Sequence, residues 1–270
     1  MQCFTLSPED YKKTMGFITD KPIKPPWKQP FEFKGSSICL FQRSGGPCGL
    51  FAVVQSYIHY INMYNQNLTA NQLLIEAILA IQSRISSYYA FPLLDDQNMT
   101  ISYSLTDNID TARSFLSSGD WLHNQNAIIN FLISIVILTG YERLQSYAIP
   151  DTFITEDGQT NLTFVLLALS GSILDSYHDN NCDVGGMILK GATQQQTIGV
   201  ISLGSSDMYQ PLGNNFLKPK TGIWVAYYGG HFTSIVATDC GFFEFDSLSR
   251  NLFFQLVEQK HAFYNKLNSL

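Results

Sequence analysis

Gln42-Arg43-Ser44-Gly45-Gly46-Pro47-Cys48-Gly49-Leu50-Phe51-Ala52-Val53-Val54-Gln55 is the stretch that decides the fold. An extended run, Ser37-Ile38-Cys39-Leu40-Phe41, leads into it and is broken by two glycines and a proline. A helical pattern starts at once, with Leu50, Val54, Tyr57, Ile58 and Ile61 at helical spacing. Pro47 suits a first helical turn, where a missing N–H costs nothing. Cys48 is therefore expected at a helix N-terminus, where the positive end of the dipole favours the thiolate, the nucleophilic form. Gly45 and Gly46 allow a tight turn and close approach of another backbone. Gln42 stands six residues before Cys48. Its side-chain amide and the Cys48 backbone N–H together suit an oxyanion hole. The plainer reading is a strand-to-helix turn with a buried thiol, since free cysteine is often only a small hydrophobe.

Working outward, the composition limits the alternatives. The chain has 270 residues, 45% hydrophobic and 13% aromatic, enough for a sizeable core. Charged residues are 14%, well below the usual quarter, which argues against disorder. A net charge of −6 argues against a broad nucleic-acid surface. The five cysteines, Cys3, Cys39, Cys48, Cys182 and Cys240, show no CxxC spacing and no pairing with histidines, so neither a disulfide framework nor a metal site is expected. No signal peptide is visible, and the apolar runs 127–138 and 164–169 are too short to span a bilayer. These features predict a soluble protein of a reducing compartment, cytoplasmic with the nucleus included, without cofactor or membrane partner, acting as a monomer.

Along the chain, Ser7 and Pro8 predict a helix to about Phe17, and four prolines between residues 20 and 30 predict an extended segment anchored by Trp27. Residues 1–35 are read as a leader and 36–270 as one domain. Helices are expected from Cys48 to Tyr64, from Ala70 to Tyr89 with Thr69 as cap, over a short piece after Thr106, from Asn124 to Thr139, from Thr160 to Tyr177, and from Asn251 to Leu267. Strands are expected at 99–105, 198–203, 222–228, 231–238 and 241–246, the last three joined by hairpin turns at Gly229-Gly230 and Asp239-Cys240-Gly241. A helical first half and a strand-rich second half give α+β, helices packed on a mostly antiparallel sheet.

A thiol nucleophile needs a base, usually histidine, oriented by a third group. His231 opens a strand directly after two glycines. His59 lies inside the Cys48 helix and cannot fold back, and His123, His178 and His261 lack a matching strand. Asp246 ends the following strand, and a hairpin brings it beside His231; Asp239 and Glu244 remain rivals for that role.

Three blocks carry a family resemblance: Leu40 to Gln55; Leu166-Leu167-Ala168-Leu169-Ser170 with Leu189-Lys190-Gly191-Ala192 and Ile198-Gly199; and Leu217-Lys218-Pro219-Lys220-Thr221-Gly222-Ile223-Trp224-Val225 with His231-Phe232-Thr233. In order and spacing they resemble the MINDY family of cysteine deubiquitinases, in the branch with a Gly-Gly-Pro-Cys-Gly nucleophile motif. The resemblance implies a papain-like fold and hydrolysis of isopeptide bonds in polyubiquitin, with lysine-48-linked chains preferred. It implies Cys48 as nucleophile, His231 as base and Gln42 as oxyanion donor, with Gly45, Gly46, Gly230 and Trp224 along the substrate approach. Two departures stand out. Tyr227-Tyr228-Gly229-Gly230 replaces the family's frequent Ser-Glu-Ser/Thr run, and the closing segment has Glu258 but no acidic ubiquitin-interacting cluster. A ubiquitin-binding pseudoenzyme and another papain-like amide hydrolase or acyltransferase are the alternatives.

Overall fold

A computed structural model describes residues 1–148, 151–202, 213–228, 230–239, 241–248 and 255–256. Its first part contains β1 (Gln2–Thr5), α1 (Pro8–Ile18), β2 (Glu32–Phe33), β3 (Leu40–Phe41), α2 (Cys48–Tyr64), α3 (Ala70–Ile85), β4 (Tyr89–Asp95), β5 (Thr100–Thr106), α4 (Ile109–Ser117), α5 (Ala127–Thr139), α6 (Tyr141–Leu144) and α7 (Leu162–Ser170). The second part contains β6 (Cys182–Val184), β7 (Met187–Leu189), β8 (Gly199–Ser202), α8 (Asn214–Leu217), β9 (Ile223–Tyr228), β10 (His231–Thr238), β11 (Gly241–Phe245) and β12 (Gln255–Leu256). The architecture is α+β, as the two halves of the sequence predict.

Helix α2 is the central element. It is buried from Cys48 through His59 and packs against α3, α7, β9 and β10. Leu50, Val53, Val54 and Ile58 are fully buried, each worth roughly 1.5–3 kcal/mol relative to exposure. Beneath α2 lies a five-stranded sheet of order β12-β11-β10-β9-β8, antiparallel except for the parallel β8–β9 pair. Ser56 and Ser234 join helix to sheet through their hydroxyls, 2.8 Å apart. A second sheet, β1-β5-β4, packs on α5, which is buried nearly all round.

Residues 1–35 are woven into the same body. Strand β1 pairs with β5, α1 packs on α5, and Trp27 is fully buried with its indole N–H donating to the Gly158 carbonyl at 2.9 Å. Thr69 caps α3 with a full capping box, Gln72 bonding back to it.

Several boundaries differ from expectation. Helix α3 stops at Ile85, and β4 begins at Tyr89. Pro92 lies inside β4, which tolerates it as an edge strand. Asn108, not Thr106, caps α4, accepting from the Thr111 amide at 2.9 Å. Helix α7 ends at Ser170 rather than Tyr177 because Gly171 turns left-handed, at φ 72°. Within the expected closing helix, Gln255–Leu256 pair instead as a strand with β11; the rest of that range lies outside the described residues, as do Gly229 and Cys240 in the two turns.

Candidate active site

The turn before α2 is bent at Gly46, whose φ of +127° suits glycine and where a Cβ would stand 3.0 Å from the Gly158 carbonyl oxygen. Pro47 is the N-cap residue and supplies no side-chain bond, so Cys48 is the first helical residue. The missing cap comes from far along the chain. The Thr160 hydroxyl accepts from the Gly49 amide at 3.1 Å and donates to the Gly46 carbonyl at 3.1 Å. The Thr160 amide donates to the same carbonyl at 2.9 Å. The Cys48 thiol is 1% exposed, its sulfur 4.0 Å from the Gly46 oxygen.

His231 begins β10, paired in register with Tyr228. Asp246 follows β11 directly. The sheet brings the two together, with His231 Nε2 donating to Asp246 Oδ1 at 3.0 Å. The Leu248 amide donates to the same oxygen at 2.9 Å. Cys48 is the second group whose interaction reaches the imidazole. With Nε2 turned to Asp246, Nδ1 is the nitrogen left for the thiol. The bond to Asp246, then the interaction with Cys48, push the His231 pKa up to about 10, against the opposing pull of burial. Burial raises the Asp246 carboxyl, but the bond from His231, the Leu248 amide and the charges of His231 and Lys34 outweigh it and hold the carboxyl below its ordinary value. Lys34 also donates to the Asp246 carbonyl, and burial lowers its own pKa.

Of the three acids weighed from sequence, Asp246 is the one that meets His231. Asp239 is exposed. Glu244 is buried and accepts from the Tyr228 hydroxyl at 3.0 Å and the Thr233 hydroxyl at 2.9 Å. The Tyr228 ring in turn stands edge-on to His231, centroids 6.0 Å apart.

Gln42 is 1% exposed and tied to the segment after Asp246. Its amide donates to the Ser247 carbonyl at 3.0 Å, and its side-chain oxygen accepts from the Ser247 hydroxyl at 2.9 Å. Its Nε2 donates to the Ser44 carbonyl at 2.5 Å. A carboxamide carries two N–H groups, so one remains beyond that bond. Behind Gln42, Gln55 holds the incoming strand, accepting from the Leu40 amide at 2.7 Å and donating to the Ile38 carbonyl at 3.2 Å. Gln55 also meets His59 at 3.0 Å. Burial pushes the His59 pKa down to about 3, so the ring is neutral; it lies tilted at 45° against Phe245, centroids 4.0 Å apart.

The remaining sequence candidates divide. Gly45 is exposed with open space around it, Gly46 is buried in the turn, and Gly230 is exposed at φ +83°. Trp224 is not brought into this cluster. It pairs with Ile235, four strand positions from His231 and roughly 13 Å along the strand. It packs with Ile201, Ala226 and Ile235 and donates to the Leu217 carbonyl at 3.0 Å. Sequence reasoning missed Thr160, Gln55 and Ser247. Gln55 lies within the opening stretch at two helical turns from Cys48, a spacing that could have suggested it; Thr160 has no local signal. Among the described residues no group of three or more His, Cys, Asp or Glu side chains is placed to hold a metal ion.

The family model described as "Deubiquitinating enzyme MINDY-3/4, conserved domain" matches residues 70–257. The chain belongs to the MINDY-3/4 family. That match contains His231 and Asp246 and begins after Cys48. The chain is similar to the "Ubiquitin carboxyl-terminal hydrolase MINDY-3 homolog" of Drosophila melanogaster, 28% identical over 132 residues, which is 47% of this chain and 23% of the relative. It is also similar to "Ubiquitin carboxyl-terminal hydrolase MINDY-3" of Danio rerio, 28% identical over 116 residues, 41% of this chain and 25% of the relative. The bovine protein of that name is 24% identical over 119 residues, 43% of this chain and 27% of the relative. The matched stretches thus span about a quarter of each relative's length. No solved structure matches.

Proposed function

We propose that this chain is a papain-like cysteine deubiquitinase that hydrolyses isopeptide bonds in polyubiquitin, with lysine-48-linked chains preferred. The observation that carries the reading is the Cys48–His231–Asp246 relay, assembled from a helix N-terminus and two adjacent strands in a MINDY-3/4 chain. In this mechanism the Cys48 thiolate attacks the isopeptide carbonyl that follows a Gly-Gly tail. The Cys48 amide and the second N–H of Gln42 receive the oxyanion. His231 protonates the departing lysine amine, and a water, deprotonated by His231, then releases the thioester. Asp246 fixes the ring tautomer and steadies the imidazolium. The open space at Gly45 and Gly230 suits substrate residues without side chains. The free thiols of Cys3, Cys39, Cys48 and Cys182 support a cytoplasmic or nuclear setting.

The test is gel-based cleavage of polyubiquitin of each defined linkage by wild type and Cys48→Ala side by side. Cleavage of lysine-48-linked chains by wild type alone is the expected result. Cleavage of another linkage in preference would overturn the linkage assignment. Turnover by Cys48→Ala would remove Cys48 from the mechanism. Binding of chains without cleavage of any would replace the enzyme with a binding module.

A further inference from the structure

Two features of the nucleophile turn are unusual for a helix start. Its N-cap residue, Pro47, has no side chain that accepts a hydrogen bond. The thiol also makes a long contact as donor to the carbonyl of its own turn, 4.0 Å from the Gly46 oxygen. A carbonyl oxygen has two lone pairs, and left open it would compete with His231 for the thiol proton. Thr160 answers both. Its hydroxyl accepts from Gly49, the second helical amide, at 3.1 Å, and its O–H and N–H both donate to the Gly46 oxygen, at 3.1 and 2.9 Å. The Cys48 amide has no acceptor among the described residues and stays available to substrate. The fit is close: a Cβ on Gly49 would stand 2.7 Å from the Thr160 methyl, which gives this glycine of the motif a physical reason.

Thr160 is itself braced. It closes a tight turn in which the Thr155 amide donates to the Gln159 carbonyl at 2.9 Å. The tip of that turn is gripped by the proline-rich segment, through the Trp27 indole on the Gly158 carbonyl at 2.9 Å and Lys24 on the Glu156 and Asp157 carbonyls. We infer that Thr160 is a positioning residue for Cys48: it caps the nucleophile helix in place of Pro47 and engages the Gly46 carbonyl with two short bonds, which leaves the thiol only a long, weak contact there and favours passage of its proton to His231. The inference rests on Cys48 being the nucleophile of the proposed function.

The experiment uses the full chain with Thr160→Val, which keeps the shape and removes the hydroxyl, and Thr160→Ser, which keeps the hydroxyl. The first readout is the pH profile of Cys48 alkylation by iodoacetamide, followed by mass spectrometry. The second is kcat and KM on lysine-48-linked diubiquitin. In Thr160→Val the alkylation profile is expected to move to higher pH and kcat to fall roughly tenfold or more, with KM little changed, because the lost bonds act on the reacting thiol. Thr160→Ser is expected to restore both. A Thr160→Val profile that superimposes on wild type, or a Thr160→Ser that shares the defect, would overturn the inference. If circular dichroism shows Thr160→Val unfolded, Thr160→Ala, which places no methyl against Gly46 and Gly49, is read instead, and an unshifted profile in it counts equally against the role. Alkylation needs no ubiquitin. A shifted profile in a protein that cleaves no ubiquitin chain would leave Thr160 its role and remove the proposed substrate.

Discussion

Replacing Asp246 by asparagine keeps the shape of the group that orients His231 and removes its charge. The His231 pKa is pushed from 6.5 to about 10, first by Asp246 and then by Cys48. At about 1.36 kcal/mol per pKa step, that is a preference for imidazolium of roughly 5 kcal/mol from all sources. The side chains keep 22% and 32% of their exposure, so water screens part of it. A single hydrogen bond to a charged group, about 1.5–3 kcal/mol, is the portion assigned to the carboxylate. The sign follows from linkage. His231 binds its proton more tightly folded than unfolded, so its contribution is complete below 6.5 and is lost as pH rises through about 10. Asp246 is held below 3.8, so its contribution is complete above 3.8 and is lost as pH falls through its lowered folded-state value. The pair therefore stabilises most between 3.8 and 6.5. Urea unfolding at about pH 5.5 should show Asp246→Asn less stable by about 1.5–3 kcal/mol, at unchanged m-value. At about pH 10.5 the difference should nearly vanish. The His231 titration, followed by NMR, should drop by roughly one to two pH steps in the variant. A stability difference that is the same at both pH values, or a wild-type His231 that titrates at its ordinary value, would refute the reasoning.

Three other substitutions separate roles. Gln42→Ala should lose roughly 2.7–4 kcal/mol of transition-state stabilisation if the side chain is an oxyanion donor; an unchanged kcat/KM would leave the side chain only its bonds to Ser44 and Ser247. Gln55→Leu strips the Leu40 amide and the Ile38 carbonyl of partners, so a loss of about 1–3 kcal/mol per buried group is expected in chemical denaturation, and a neutral result would show that β3 does not depend on this clasp. At Gly171 the φ is +72° and a Cβ would stand 2.1 Å from the Arg84 carbonyl oxygen. Gly171→Ala should therefore lower Tm by more than the ~1–3 kcal/mol of backbone strain alone accounts for; an unaltered Tm would contradict the geometry.

Much of the fold was legible where local chemistry and tertiary demand agree. Helix α2 follows from apolar spacing after Pro47, α3 from its Thr69 cap, and the β9–β10–β11 meander from alternating apolar residues between glycine turns. The same meander made Asp246 legible, because a hairpin places it beside His231. Reading failed where a distant partner decides. Tyr89 reads as the end of a helix, yet β5 recruits it as the start of an edge strand. Gly171 carries a readable stop signal, but the apolar character of the following residues, Ile173 and Leu174, draws the eye past it. Thr160 caps a helix from more than a hundred residues away, and Trp224 looked like a substrate contact because spacing does not reveal which strand position it occupies. Ser247 was likewise invisible, since its bond to Gln42 exists only once β3 and the end of β11 lie together.

Cys48 precedes His231, Asp246 and Ser247, the serine that holds Gln42, by more than 180 residues. During synthesis from the N-terminus, β1 through α7 can begin to collapse before β9, β10 and β11 have left the ribosome. A nascent chain stopped short of Tyr228 would hold the thiol and its Thr160 cap with no proton acceptor, and would leave bare the side of α2 that later covers β9 and β10. The Cys48–His231–Asp246 cluster is therefore completed in one step, when the meander closes under α2. An incomplete chain lacks the cluster at the same stage at which that face of α2 is uncovered.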